Sequence, residues 1–407
     1  MSAHHDAHTI FHQALAEANI PAAFARKLKT LPQADNIYVI AVGKAALPML
    51  DALHARVRFT AGICCGPTLP AQRIPGIAYY VGGHPLPNED SFASARAALQ
   101  LLRNTTPDDL VYFLISGGGS AMCELPLDAN ISLAETQSLY QKLVGSGATI
   151  AEINTVRKHF SAVKGGRLAA AAKAQRISLL VSDVAPRYLD ALASGPTLED
   201  TSTVEDCQEI IHRYHLRFPP AVAAFFAHPP ETPRLIKHRV EVLLSSDDLA
   251  EAARHQAEAL GYTVVIDNAC DDWDYADAAR YLLDRFAALP AKKRCLLSTG
   301  EVTVRLGRNH GRGGRNQQFA LACALALEEP TVILSAGSDG IDGNSPAAGA
   351  IVDETTVPRS KAKGLDAAGA LARFDAYPLF TVLGDAMITG PTHNNLRDLR
   401  ILLTHTS

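Results

Sequence analysis

Short apolar runs followed at once by small, polar residues recur along most of this chain, with amphipathic stretches between them. Residues 37–42 (Ile-Tyr-Val-Ile-Ala-Val) read as a strand and run into Gly43-Lys44-Ala45-Ala46. Residues 62–65 and 77–81 are further strand-like runs ahead of Gly82-Gly83-His84-Pro85-Leu86-Pro87-Asn88, and an alanine-rich helix follows over 91–102. The apolar run 110–115 ends in Ser116-Gly117-Gly118-Gly119-Ser120, and a helix is expected from near Ser132 past Leu143. In 150–176, Ile150, Ile153, Val156, Phe160 and Val163 keep helical spacing and predict one buried stripe. Asn154, Arg157, Lys158, Ser161 and Lys164 fall on the other face, with cations and no acid among them, which suggests a small-anion surface. The strand 177–181 ends in Ser182-Asp183-Val184, the turn Ala193-Ser194-Gly195-Pro196-Thr197 follows, and a helix starts near Val204.

Periodicity stops at the proline-rich 228–233, where a domain boundary is expected, giving domains 1–232 and 233–407. The pattern then restarts. Run 240–244 leads to Ser245-Ser246-Asp247-Asp248, a good N-cap for a helix over 249–260. Strand 264–266, helix 275–288 and strand 295–297 follow, the last ending in Ser298-Thr299-Gly300-Glu301. Residues 302–306 alternate as a strand and open into an arginine- and glycine-rich loop over 307–318, ahead of a helix at 319–327. Run 331–334 ends in Ser335-Ala336-Gly337-Ser338-Asp339-Gly340-Ile341-Asp342-Gly343, and 380–383 in Gly384-Asp385-Ala386. Strand, polar loop and helix in repeated order define an α/β protein in two blocks.

Composition changes this picture little. The 407 residues are 47% hydrophobic and 20% charged, as in an ordinary globular chain, and a formal net charge of −4 argues against a general nucleic-acid binder. No window approaches a membrane span, and the polar, His-rich start lacks a signal-peptide core, so a cytoplasmic protein is expected. The seven cysteines form no C-x-x-C pair; they predict buried thiols rather than a disulfide framework or zinc cage. His4, His8 and His12 recur every four residues, where the choice is between a metal site and a solvated end.

The loops carry the chemistry. Three glycines after a strand let a ligand approach backbone N–H groups closely, although a tight turn that binds nothing has the same sequence. Lys44 lies at a strand's carboxyl end, where open α/β sheets place ligands. Arginine forks match phosphate and carboxylate oxygens, and Arg308, Arg312 and Arg315 with four glycines in one loop, just after Arg305, are hard to explain as packing. Asp183 could hold Mg²⁺ or a substrate hydroxyl. These parts suit phosphoryl transfer in a cleft between two α/β domains. Neither a Walker A loop nor a G-x-G-x-x-G fingerprint is present, which weighs against a P-loop ATPase and a standard dinucleotide-binding dehydrogenase.

Taken together and in order, the loops resemble the type II glycerate 2-kinases, the MOFRL family. The resemblance is carried by Gly43-Lys44-Ala45-Ala46, Gly83-His84-Pro85-Leu86-Pro87, residues 115–120, 153–159 through Lys164-Gly165-Gly166, and Ser182-Asp183-Val184. It continues through Ala193-Ser194-Gly195-Pro196-Thr197, 311–317, 339–343, 347–350 and Gly390-Pro391-Thr392, spanning nearly the whole chain. It implies a larger Rossmann-like three-layer N-terminal domain and a smaller C-terminal α/β domain flanking a cleft. It also implies ATP-dependent phosphorylation of the 2-hydroxyl of D-glycerate with Mg²⁺ or another divalent cation. Lys44 matches the family's proposed catalytic lysine and Arg315 its loop arginine. Nucleotide or substrate would be bound by Ser116, Gly117, Gly118, Gly119, Ser120, Asn154, Arg157, Lys158, Gly313, Gly314 and Asn316. Asp183, Asp339 and Asp342 are unranked candidates for the metal or the substrate hydroxyl. The partners implied are glycerate and ATP, with no nucleic acid or membrane; self-association is left open.

Two departures bear on substrate choice. The family's acidic Gly-Asp-Asp after Ser-Asp-Val is Ala185-Pro186-Arg187-Tyr188 here, and its Gly-Pro-Thr-Gly-Thr-Asn is Gly390-Pro391-Thr392-His393-Asn394-Asn395. A related hydroxy acid is therefore an alternative substrate. Relatives have also been labelled hydroxypyruvate reductases, the competing activity; it needs a nicotinamide site, which the missing fingerprint disfavours.

Overall fold

The computed structural model describes residues 2–32, 34–235, 238–307, 309–392 and 394–404. Two compact units divide the chain, one of residues 23–243 and one of 1–22 with 244–407. The expected division at 232/233 falls within the first of these, and it did not assign the N-terminal segment to the later one.

The unit of residues 23–243 is built on a six-stranded sheet. Its strands are β1 (Ile37–Val42), β2 (Ala61–Gly66), β3 (Ile77–Val81), β4 (Leu110–Ser116), β5 (Gln175–Val181) and β6 (Arg239–Leu244), in the order β3-β2-β1-β4-β5-β6. The pairs β1–β2, β2–β3, β1–β4 and β4–β5 are parallel. All seven residues of β4 are buried, as a central strand covered on both faces requires. Ile40 and Val42 of β1 join Val111, Phe113 and Ile115 of β4 in one core, with Ala95, Ala98 and Leu102 of helix Glu89–Arg103. A second core holds Leu139, Leu143, Val156, Phe160, Cys207 and Phe226 among helices Leu133–Val144, Ile150–Phe160, Val204–Arg213 and Pro220–Phe226. The run 240–244, expected to begin a second block, ends this first sheet instead. A strand's apolar pattern names neither the sheet nor the neighbour it joins.

The other unit has the sheet order β11-β10-β9-β12-β8-β7. It contains β7 (Thr263–Ile266), β8 (Arg294–Thr299), β9 (Thr331–Gly337), β10 (Gly349–Val352), β11 (Ala386–Met387) and β12 (Asp398–Thr404). β12 runs antiparallel between β8 and β9. The sequence reading placed no strand there. Residues 380–383, read as a strand-like run, lie in helix Ala376–Leu383, which ends at Gly384 in a left-handed C-cap with φ 80°. Residues 302–306 form no strand; Thr303 makes an isolated bridge to Asp274. The helix expected at 319–327 starts earlier, as Arg315–Ala326.

Helix Ala3–Glu17, considered above as a solvated end, is a docked part of this unit. It buries Ile10, Phe11 and Ala14. His4 Nε2 meets Asp353 Oδ2 at 2.6 Å, and the Tyr262 hydroxyl donates to Asp6 Oδ2 at 2.9 Å. His8 and His12 stack with ring centroids 6.2 Å apart. Among the described residues, no three or more His, Cys, Asp or Glu side chains are grouped to hold a metal ion. All seven cysteines are buried and free.

Candidate active site

In a 3-2-1-4-5-6 parallel sheet, strand order reverses between the first and fourth strands, and the connections leaving them open a crevice at their carboxyl ends. The chain puts Gly43-Lys44 after β1, and Ser116 at the end of β4 with Gly117-Gly118 after it, at that point. The two turns are tied together. Lys44 N–H donates to Gly117 O at 2.8 Å, and Ala45 N–H to Ser116 Oγ at 2.9 Å. Ser116 Oγ in turn donates to Val42 O at 3.4 Å. Ser116 is 2% exposed, so its hydroxyl holds the turn together and is not turned to a ligand, as its place in the predicted binding set required.

Gly118 has φ +81°, a region L side chains rarely adopt, and the Lys44 and His84 side chains lie over its open face. A Cβ there would sit 3.1 Å from Lys44 Cγ and 3.3 Å from His84 Cδ2. Gly117 has Asp183 against it: a Cβ would come within 1.7 Å of Asp183 Oδ2. Lys44, which is exposed, thus meets Gly117, Gly118, His84 and Asp183 at one place. Burial, and then the Lys44 charge, hold the His84 imidazole below its usual pKa, which favours the neutral ring. Gly119 begins the short helix Gly119–Met122, whose N-cap carries no side-chain hydrogen bond, so its first N–H groups lack intrahelical acceptors.

The turn at 193–197 packs beside Gly119, where a Cβ would be 2.9 Å from Ala193 Cβ. Ala193, Ser194 and Gly195 all have left-handed φ, of 51°, 60° and 62°. Such a run, costly for the two non-glycines, is held by Gly165 N–H on Ser194 O (3.2 Å) and Gly166 N–H on Gly195 O (2.8 Å). Ser194 Oγ donates to Asn154 Oδ1 at 2.9 Å and contacts Ser120 Oγ at 2.5 Å.

The cationic face expected on helix Ile150–Phe160 is largely turned inward, and two of its three cations meet acids of the chain itself. Lys158, 4% exposed, pairs with Asp190 at 2.9 Å and Asp200 at 3.1 Å. The Arg157 guanidinium lies 4.3 Å from the centre of the Tyr140 ring. Lys164 lies beyond the helix end and pairs with the wholly buried Glu124 at 2.5 Å. Burial pushes the Lys164 pKa down, against the pull of Glu124. The compensating acids come from positions 124, 190 and 200, so a window of 154–164 shows only the cations. Ile150, assigned to the buried stripe, is 64% exposed at the first turn.

Glu124 also accepts from Leu125 N–H (2.8 Å), from Ser161 Oγ (2.6 Å) and from the Tyr140 hydroxyl, which meets Ser120 O at 2.7 Å. The sequence reading missed Glu124 and Tyr140 and gave His84 and Ser194 no individual role. An acid inside the apolar stretch 121–127 was the available signal for Glu124.

In the other unit, Arg315 opens helix Arg315–Ala326 at the end of the sheet where β8 finishes and β12 begins. Its Nε and Nη2 grip Asp398 at 2.6 and 2.9 Å, and Nη2 also meets Glu301 at 2.8 Å. Burial lowers the Arg315 pKa, but Asp398 and Glu301 more than restore it. The predicted Asp342 is 2% exposed and accepts from the backbone N–H of Asn316 (3.0 Å) and Gln317 (2.9 Å). It therefore caps this helix. Burial pushes its carboxyl up to about 6, against those hydrogen bonds. The Asn316 amide is engaged as well, its Oδ1 accepting from Ser335 Oγ at 2.7 Å.

Packing explains two of the loop's glycines after all. A Cβ on Gly311 would reach 2.3 Å from Asp375 Oδ1, and one on Gly314 2.3 Å from Asp342 Oδ1. Gly313 N–H donates to Asn344 Oδ1 at 2.8 Å. Asp339 is exposed and accepts from Ile341 N–H at 3.1 Å, and Arg312 stacks 4.9 Å from the Tyr377 ring centre. Arg308 and His393 lie outside the described residues.

A Rossmann-order unit with a lysine and a glycine turn at its switch point, joined to a mixed α/β unit, defines a two-domain α/β protein. The family described as "Domain of unknown function (DUF4147)" matches residues 6–227, and the MOFRL family matches residues 294–398. The chain belongs to this DUF4147–MOFRL family. It is 36% identical over 387 residues to a D-glycerate 2-kinase of Thermotoga maritima, covering 92% of each chain. It is also 36% identical over 411 residues to a putative hydroxypyruvate reductase of Agrobacterium vitis, covering 97% of this chain and 93% of that one. A crystal structure of glycerate kinase from Thermotoga maritima superposes with TM-score 0.89 at 35% identity, covering 98% and 99% of the two chains.

Proposed function

We infer that this protein is an ATP-dependent kinase that phosphorylates D-glycerate at its 2-hydroxyl to give 2-phosphoglycerate. Kinship along nearly the whole length with a D-glycerate 2-kinase carries the reading. The residues at the β1/β4 switch point suit it: Lys44 is exposed over Gly118, and phosphoryl transfer needs a fixed cation where charge develops. We assign Lys44 that role. The N–H groups at Gly118 and Gly119 hold an anionic oxygen of nucleotide or glycerate, and Asp183 orients the acceptor hydroxyl. Arg315, fixed by Asp398 and Glu301, is the second catalytic cation.

The family implies a divalent cation. No ready-made cluster of acids awaits it among the described residues, but Mg²⁺ is normally held by one or two carboxylates together with substrate phosphates. Asp183 fits that demand, and the ion would neutralise phosphate charge there. Seven free, buried thiols are in keeping with a reducing compartment, and we place the enzyme in the cytoplasm.

The test is ADP release with D-glycerate, L-glycerate, tartronate and hydroxypyruvate, the phosphorylated position being read by phosphorus NMR. Transfer to the 2-hydroxyl of D-glycerate is expected. The likeness to a putative hydroxypyruvate reductase makes oxidation of NADH or NADPH by hydroxypyruvate the decisive control. The first βα turn offers Gly43-Lys44-Ala45-Ala46 where a dinucleotide needs its glycine fingerprint, so no oxidation is expected. Rapid cofactor oxidation without ADP release would overturn the kinase reading.

A further inference from the structure

The two serines bracketing the glycine turn look alike in sequence, and both would serve as donors to an anionic oxygen. The hydrogen bonds say otherwise. The Ser116 hydroxyl spends its proton on Val42 O. Ser194 is fully buried, and its hydroxyl donates to Asn154 Oδ1 at 2.9 Å. A hydroxyl has one proton. With that proton committed, the 2.5 Å contact between Ser120 Oγ and Ser194 Oγ is a hydrogen bond only if Ser120 donates. Ser120 is half-buried, and its carbonyl oxygen lies 2.7 Å from the Tyr140 hydroxyl oxygen. Its own proton therefore points into the protein, and lone pairs remain for any ligand. A phosphate or carboxylate oxygen would meet those lone pairs with repulsion. A ligand O–H would be accepted.

We propose that Ser120 is a specificity residue that accepts a hydrogen bond from a hydroxyl of the substrate, with Ser194 and Asn154 fixing the direction of the relay. The proposal rests on the kinase reading. In glycerate one hydroxyl receives the phosphoryl group, and the second, on C3, is free to donate. Ser120 thus distinguishes glycerate from lactate, the same acid without that hydroxyl. Anion binding at this turn falls to backbone N–H groups.

The experiment compares kcat/KM for D-glycerate and D-lactate in the unaltered protein, Ser120→Ala and Asn154→Asp. Ser120→Ala is expected to lower the glycerate-to-lactate ratio by about tenfold or more, through glycerate alone. Aspartate offers Ser194 only acceptor oxygens, so Asn154→Asp keeps the relay pointing inward and holds the ratio within about threefold, whatever happens to kcat. A ratio unchanged in Ser120→Ala overturns the proposal and leaves the kinase reading standing. A collapse of the ratio in folded Asn154→Asp overturns the assigned direction. Should Asn154→Asp fail to fold, the Ser120→Ala ratio decides alone. Absence of transfer to D-glycerate by the unaltered protein removes both readings.

Discussion

Replacing Gly117 with alanine adds one methyl group at the place where the proposed catalytic groups meet. The new Cβ would lie 1.7 Å from Asp183 Oδ2 and 2.4 Å from its Cγ. Contact requires about 3.0 Å or more, so the carboxylate must move by more than about 1 Å or the turn must shift. Gly117, unlike Gly118, has no left-handed φ, so the cost is steric and not conformational. Overpacking of this kind costs about 1–3 kcal/mol of stability. A displacement of about 1 Å at reacting groups costs about 10²-fold in rate. We expect Gly117→Ala to fold, to unfold at lower urea, and to lose about 10²-fold in kcat/KM for D-glycerate. Gly117→Ala/Asp183→Ala relieves the clash and should recover most of the lost stability. If Asp183 orients the acceptor hydroxyl, the double variant stays inactive; if Asp183 merely fills space, activity returns with stability. Activity of Gly117→Ala within about threefold of the unaltered protein would refute the close approach itself.

Further outcomes follow from other contacts. Lys44→Ala is expected to lower kcat by about 10²–10³-fold with an unchanged circular dichroism spectrum, because an exposed loop lysine contributes charge rather than packing; near-normal turnover would remove it from the mechanism. Glu124→Ala strands the buried Lys164 charge and should cost about 3–5 kcal/mol in urea unfolding, while Glu124→Met/Lys164→Met recovers most of that loss. A cost below about 1 kcal/mol in the single variant would contradict the buried pair. The Asp342 carboxyl has a folded pKa raised from 3.8 to about 6, so its favourable contribution is complete below pH 3.8 and is lost as pH rises through about 6. Across that window it should remove about 3 kcal/mol of stability, and the stability difference between the unaltered protein and Asp342→Asn should change accordingly. A pH-independent difference between them would contradict the raised pKa.

Local chemistry determined a large part of this protein. Short apolar runs predicted nine of the strands of the two sheets, because a strand covered on both faces leaves a near-continuous apolar run within its own few residues. Capping residues marked helix starts for a similar reason: Ser132 and Ser245 bond to their own helices within three residues. Gly43-Lys44 and residues 116–120 were legible as strand-end turns because each adjoins an apolar run in the chain. The tertiary structure decided what depends on partners distant in sequence. The cations at 157, 158 and 164 became internal pairs because Glu124, Asp190 and Asp200 fold against them or Tyr140 receives them. Residues 240–244 joined the first sheet and Asp398–Thr404 became a central strand of the second, since a strand's side chains do not state its neighbours. Asp342 turned out to cap a helix, and Gly311 and Gly314 to make room for Asp375 and Asp342. A residue type limits the bonds a group can make, and only the fold decides which partner arrives to make them.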